Sequence, residues 1–199
     1  MNVTKSALIL LVIAACAACI SLSTGNDAIA PARREIRVRD CEGPPTSLSP
    51  ELKSTLAPRS GHMAPDDQWA DIAERVPGGF AGVLYSAGKP VLLLTRPEEA
   101  AAAKAALSPL LEGFPVKDAS VWPVRWDFVQ LVDWYNYFNR QPRLWNLNVN
   151  SADKSEADNR IVYRITDSAS LFRVRALLDS LAIPCDLVLL RIAAPIQLR

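Results

Sequence analysis

The pattern of apolar and polar positions divides the chain into three stretches. An unbroken apolar run covers Ala7 to Ala18. A mixed Pro-, Ser- and Arg-containing stretch follows, in which neither a period of 2 nor one of 3.6 persists, and it extends to about Pro65. From Asp66 onward the periodicity becomes regular. Asp66 to Val76 predicts a helix, with acidic residues in its first turn, Trp69, Ile72 and Ala73 on one face, and Pro77-Gly78-Gly79 as a stop. Phe80 to Tyr85 and Val91 to Thr95 predict two strands joined by a turn over Ser86 to Pro90. Pro97, Glu98 and Glu99 open a helix running to about Leu111.

A second helix is predicted over Val124 to Arg140. Phe128, Leu131, Val132 and Tyr135 share one face, while Trp126, Val129, Trp134 and Tyr137 spread over the remainder. A helix apolar nearly all round is either sandwiched within a core or engaged by a partner. Strands are expected over Leu144 to Val149 and Ile161 to Ile165, with Ser151 to Asn159 as a polar excursion between them. Asp167 or Ser168 caps a last helix bearing Leu171, Val174, Leu178 and Leu181, Pro184 breaks it, and Leu187 to Ile192 closes the chain as a strand. The order α-ββ-α-α-β-β-α-β predicts an α+β two-layer sandwich with a mainly antiparallel sheet. The expected organisation is a targeting segment over 1–20, a Pro- and Ser-rich tether or arm over 21–65, and a single domain over 66–199.

The first stretch reads as a signal for export. One charge, Lys5, precedes the apolar run, which is shorter than the roughly 20 residues needed to span a bilayer. Ile13-Ala14-Ala15-Cys16 resembles the lipobox of exported bacterial lipoproteins. That resemblance implies lipidation at Cys16, a membrane partner through the lipid anchor, and a place in the bacterial cell envelope; ordinary cleavage and secretion is the alternative. Cys19 fits less well, because Cys16 occupies the position where an aliphatic residue is wanted. The folded part then keeps Cys41 and Cys185, for which export predicts a disulfide, with two inert buried thiols as the other reading.

Charge excludes one class of partner. Lys and Arg number 22 and Asp and Glu 21, for a net charge of +1, so no basic face suited to nucleic acid is expected. Arg33, Arg34, Arg37 and Arg39 form the basic run; interleaved with Ile36 and Val38 they read as a solvated edge strand or, alternatively, as a contact with anionic lipid.

The last fifty residues carry a second resemblance. Asp158-Asn159-Arg160-Ile161-Val162 leading a strand, a helix ending Leu178-Asp179-Ser180-Leu181-Ala182-Ile183-Pro184, and a closing Val- and Leu-rich strand are similar to the C-terminal part of pro-regions of α-lytic-type secreted proteases. The resemblance implies fold, secretion and binding in trans; no protease follows Arg199, so a pro-region acting in cis is not expected.

Candidate chemistry is sparse. His62, the only histidine, falls in the irregular arm, and no nucleotide-cradling, nucleophile-elbow or zinc-protease motif occurs. The Cys16 to Cys19 spacing lies within the targeting segment. Gly78, Gly79 and Gly82 precede a strand, whereas a phosphate cradle follows one, so they read as a helix stop. Asp127 and Asp133, six apart on a helix, point in different directions, and Glu98 with Glu99 suit a helix N-terminus. Neither pair is expected to be catalytic, and no cofactor or metal is expected. The leading expectation is a non-enzymatic protein- or peptide-binding domain using Trp126, Trp134 and Tyr137 as its surface. A carbohydrate- or wall-binding module, with Trp122, Trp126, Trp134 and Tyr137 as platforms for sugar stacking, is the alternative, and a hydrolase without a readable motif is the third.

Overall fold

The computed structural model describes the backbone of residues 36–37 and all of residues 45–56 and 65–193. Its strands are β1 (Ile36–Arg37), β2 (Phe80–Ser86), β3 (Lys89–Leu94), β4 (Ser120–Pro123), β5 (Val149–Ser155), β6 (Arg160–Ile165) and β7 (Val188–Ile192). Its helices are α1 (Pro50–Ser54), α2 (Pro65–Arg75), α3 (Ala100–Leu107), α4 (Phe128–Asn139), α5 (Pro142–Trp145) and α6 (Ser168–Ser180). The α+β class is as expected. The strands form two small mixed sheets, ordered β2-β3-β4 and β1-β7-β6-β5, and not the mainly antiparallel sheet anticipated.

The two sheets are built alike. In the first, β2 and β3 form an antiparallel hairpin, α3 crosses over, and β4 returns parallel to β3. In the second, β5 and β6 form the hairpin, α6 crosses over, and β7 returns parallel to β6. A helix precedes each set, α2 before the first and α4, followed by the short α5, before the second, so the chain from residue 65 to 192 runs through the order αββαβ twice with α5 added in the second pass. A parallel return demands a crossover. Beta4 is short, largely exposed and ends in Pro123, so its apolar signal is weak, and missing it conceals the first crossover.

Local chemistry explains the elements. The β2–β3 turn has two residues, Ala87 and Gly88, both with positive φ (49° and 76°), the sign that two-residue hairpins favour. Gly79 must be glycine, because an added Cβ would lie 1.9 Å from Thr95 Oγ1. This confirms the glycines after α2 as a helix stop leading into β2. Helix α4 begins with a capping box: the Asp127 carboxylate accepts from the Gln130 N–H at 2.8 Å, and the Gln130 side chain accepts from the Asp127 N–H at 3.2 Å. Asp167 caps α6 by accepting from both the backbone N–H and the hydroxyl of Ser170, each at 2.8 Å. Those hydrogen bonds hold its carboxyl well below the usual range.

Two cores meet at α4. Phe128 and Val132 pack with Leu92, Leu94, Phe80, Ala70 and Ala103 around the first sheet. Leu131, Trp134 and Phe138 pack with Ile161, Tyr163, Leu171 and Leu190 around the second. The all-round apolar surface of this helix is thereby accounted for: it is shared by both cores.

Part of the predicted tether is a docked segment. Leu48 is buried against the second core, Trp134 Nε1 donates to the Thr46 carbonyl at 3.0 Å, and Lys53 Nζ lies 2.7 Å from the Asp133 carboxylate. Arg140 also donates to the Thr55 carbonyl. The residues around α1 therefore cover α4, which corrects the reading of a tether or loosely packed arm for residues 45–56. Beta1 pairs antiparallel with β7 at the sheet edge, as the alternation around Ile36 predicts.

Candidate functional site

A cleft of about 290 Å³ opens where the first sheet meets the turn between β5 and β6. Its apolar side is given by Leu84, Leu93 and Trp122. The strand register explains this grouping: Leu93 stands opposite Trp122 on β4, and this face is the reverse of the one that Leu92 and Val121 turn toward the first core. The Trp122 side chain is 45% exposed. Its indole is the large aromatic surface that the cleft offers to solvent, since Trp126, which also lines it, is 1% exposed.

The opposite wall is polar and fixed. Beta5 and β6 are joined by residues 156–159, and Asn159 takes a positive φ of 50°, a conformation that asparagine tolerates better than most residues. Buried there, Asn159 fastens the hairpin to the chain leaving β4. Its Oδ1 accepts from the N–H groups of Arg125 at 3.0 Å and Trp126 at 2.8 Å, and its Nδ2 donates to the Trp126 carbonyl at 2.8 Å. Every polar atom of that side chain thus holds the cleft in shape. Asp158 lies 2.9 Å from Arg191 Nη2, and its other oxygen accepts from the Ser155 hydroxyl at 2.6 Å. Arg160 Nη2 lies 2.7 Å from the Asp186 carboxylate, and the Asp186 carbonyl accepts from Trp126 Nε1 at 3.3 Å. The Arg125 guanidinium sits 5.6 Å from the Trp126 ring centroid, within cation–π range. Glu156 stands at the rim, exposed, with its Cγ over Gly82, where an added Cβ would lie 3.0 Å away.

Of the aromatic and acidic candidates singled out from the sequence, Trp122 and Trp126 line the cleft and the others fall elsewhere. Trp126 and Trp134 are buried, at 1% and 5% exposure, and Tyr137 is half-buried, packed edge-on to Trp134 with ring centroids 5.9 Å apart. The expected exposed aromatic surface on α4 is corrected accordingly: two sheets and the docked α1 segment surround this helix and leave it little free face. Asp127 caps α4, and burial pushes its carboxyl above the usual range. Asp133 is held by Lys53. Glu99 accepts from the Gly78 N–H at 2.8 Å and from Arg96 Nε at 2.6 Å, which locks the glycine turn. The Arg96 guanidinium holds its carboxyl below the ordinary range. Asp127, Asp133 and Glu99 therefore each hold a structural partner.

Cys185 is disulfide-bonded. Cys16, Cys19, Cys41 and His62 lie outside the described residues. Among the described residues no group of three or more His, Cys, Asp or Glu side chains could hold a metal ion. Among them, too, no helix is long and apolar enough to cross a membrane.

The cleft was not predicted from the sequence. Asp158 and Asn159 were read as the end of a polar loop, and Trp122 was one of four aromatic residues named as platforms for sugar stacking, without a polar wall to face it. The available signal was Asp-Asn immediately before an apolar strand, a combination that favours a tight turn with positive φ. Comparison of the chain with protein-family models, with curated proteins and with solved structures gave no match in any of the three.

Proposed function

We propose that this chain is an exported, lipid-anchored protein of the bacterial cell envelope that acts by binding a small ligand in the cleft beside Trp122, without catalysing a reaction. The observation that carries the reading is the partly exposed Trp122 indole facing a polar wall held in place by Asn159 and two arginine–aspartate pairs. Apolar sites with a few convergent, fixed polar groups are the usual form of small-ligand pockets. Asp158 and Asp186 have oxygens already taken by arginine and serine donors, an arrangement that suits holding a shape better than transferring protons. With Trp126 and Trp134 buried, binding of a protein or peptide through α4 loses the aromatic anchors on which it depended. A peptide reading keeps only the cleft.

Export rests on the apolar run from Ala7 to Ala18 and on Ile13-Ala14-Ala15-Cys16. A disulfide between Cys41 and Cys185 suits that compartment. The anchor is tested by fractionation of cells expressing the protein. Cys16→Ala should move the protein out of the membrane fraction, and Cys19→Ala should not; unchanged membrane association of the Cys16 variant would remove the lipoprotein reading.

A further inference from the structure

The ligand class follows from how the cleft is charged and sized. Three guanidiniums, those of Arg125, Arg160 and Arg191, are matched in and beside it by three carboxylates, those of Glu156, Asp158 and Asp186. Two of the matches are direct ion pairs at 2.7 and 2.9 Å. An ionic ligand entering such a balanced wall brings a charge that nothing compensates, or it must displace an existing pair and strand its partner. A purely apolar ligand would strip water from these groups and give them no hydrogen bonds in return. A neutral ligand carrying hydroxyl or amide groups meets neither cost. It gains hydrogen bonds to ionised partners, which are stronger than those between neutral groups.

The opposite wall asks for something different. The Trp122 indole, with Leu84 beside it and the buried Leu93 behind, offers an apolar surface next to those charges. A molecule with polar edges and a C–H face satisfies both walls, and a pyranose ring has that shape. At about 290 Å³ the cleft is at the bottom of the range for small-molecule sites, which fits a single ring or the terminal residue of a longer chain. We propose that the cleft binds one ring of a neutral saccharide, stacked on Trp122 and hydrogen-bonded along its edge to Glu156 and the arginine–aspartate wall. This inference rests on the binding-module reading above and narrows it to a ligand class.

Calorimetric titration of the full-length chain in a sugar-free detergent tests it, with chitotriose and maltotriose as neutral probes. Trigalacturonate and a lysine-containing tetrapeptide serve as charged probes. The expected result is saturable one-to-one binding of at least one neutral trisaccharide and none of either charged probe. Trp122→Ala should weaken that binding about tenfold, the scale of a lost aromatic contact, whereas Trp122→Phe should keep part of it. A thermal melt by circular dichroism shows that each variant is folded, and the Phe variant serves if the Ala variant is not. Binding of a charged probe, sensitive to Trp122 and without binding of either neutral sugar, overturns the saccharide assignment and leaves the cleft as a binding site. Binding of no probe, or sugar binding indifferent to both Trp122 substitutions, overturns the saccharide assignment and removes the support for the cleft as well.

Discussion

The two αββαβ halves have the same order of elements, the short α5 apart, and are stabilised differently. Around the first sheet, the helices α2 and α3 bury three alanines, Ala70, Ala73 and Ala103, beside Leu107 and against Leu92, Leu94 and Phe80, with Trp69 only partly buried. Helix α3 has eight residues and no side-chain cap. Around the second sheet the core is bulky, with Trp126, Phe138, Tyr163, Ile161 and Ile165 fully buried. Its crossover helix α6 has thirteen residues and a capped N-terminus, and β1 adds a fourth strand at the edge. The first half puts the reverse face of its sheet into the cleft, whereas the second supplies the wall that holds the cleft's shape. One topology therefore serves two purposes, with side-chain volume and charge deciding which half presents a binding face.

The largest expected effect lies in the bulky core. Phe138 is fully buried and stacks on Trp134 at 5.5 Å between centroids, so Phe138→Ala should cost about 3 to 5 kcal/mol in denaturant unfolding. A cost below about 1 kcal/mol, the level of a typical single substitution, would mean that this core is not the main store of stability. The next effect lies at the seam. Asn159→Ala leaves the buried Trp126 N–H and the part-buried Arg125 N–H without their acceptor, at about 1 to 3 kcal/mol for the buried one, and also places alanine at positive φ. Unfolding should reveal a loss on the order of 3 kcal/mol. Amide exchange should rise first at Arg125 and Trp126 and not within α6; uniform acceleration would indicate that Asn159 is not a local fastener.

The sequence made most of this architecture legible wherever a cap or a strong period marked it. Asp167 before an apolar stripe identified α6, and Pro77-Gly78-Gly79 identified the end of α2, because those residues act locally. Positions 151–155 were misread as part of a polar excursion. Beta5 sits at a sheet edge, and most of its residues are only partly buried, so the strand alternation is faint. Leu144 was assigned to a strand; it sits in α5, where Pro142 provides a helix start that the apolar pattern alone does not reveal. The aromatic helix was located well and its role misjudged. An apolar surface all round fits either a shared core or a partner, and only the placement of the two sheets decides between them. The cleft was hidden for a related reason: Trp122 and Asn159 are 37 positions apart, and nothing local links a strand residue to a distant turn.

The central claim is that the Trp122 indole at the cleft is accessible and that Trp126, just before the start of the aromatic helix, and Trp134, within it, are buried. Brief oxidative labelling of the native protein, read tryptophan by tryptophan by peptide mass spectrometry, tests it directly. Trp122 and Trp145, at 45% and 42% exposure, should be modified early, with Trp126 and Trp134 protected until the protein unfolds. Labelling of Trp134 as fast as that of Trp122 would contradict the account and return the aromatic helix to the surface.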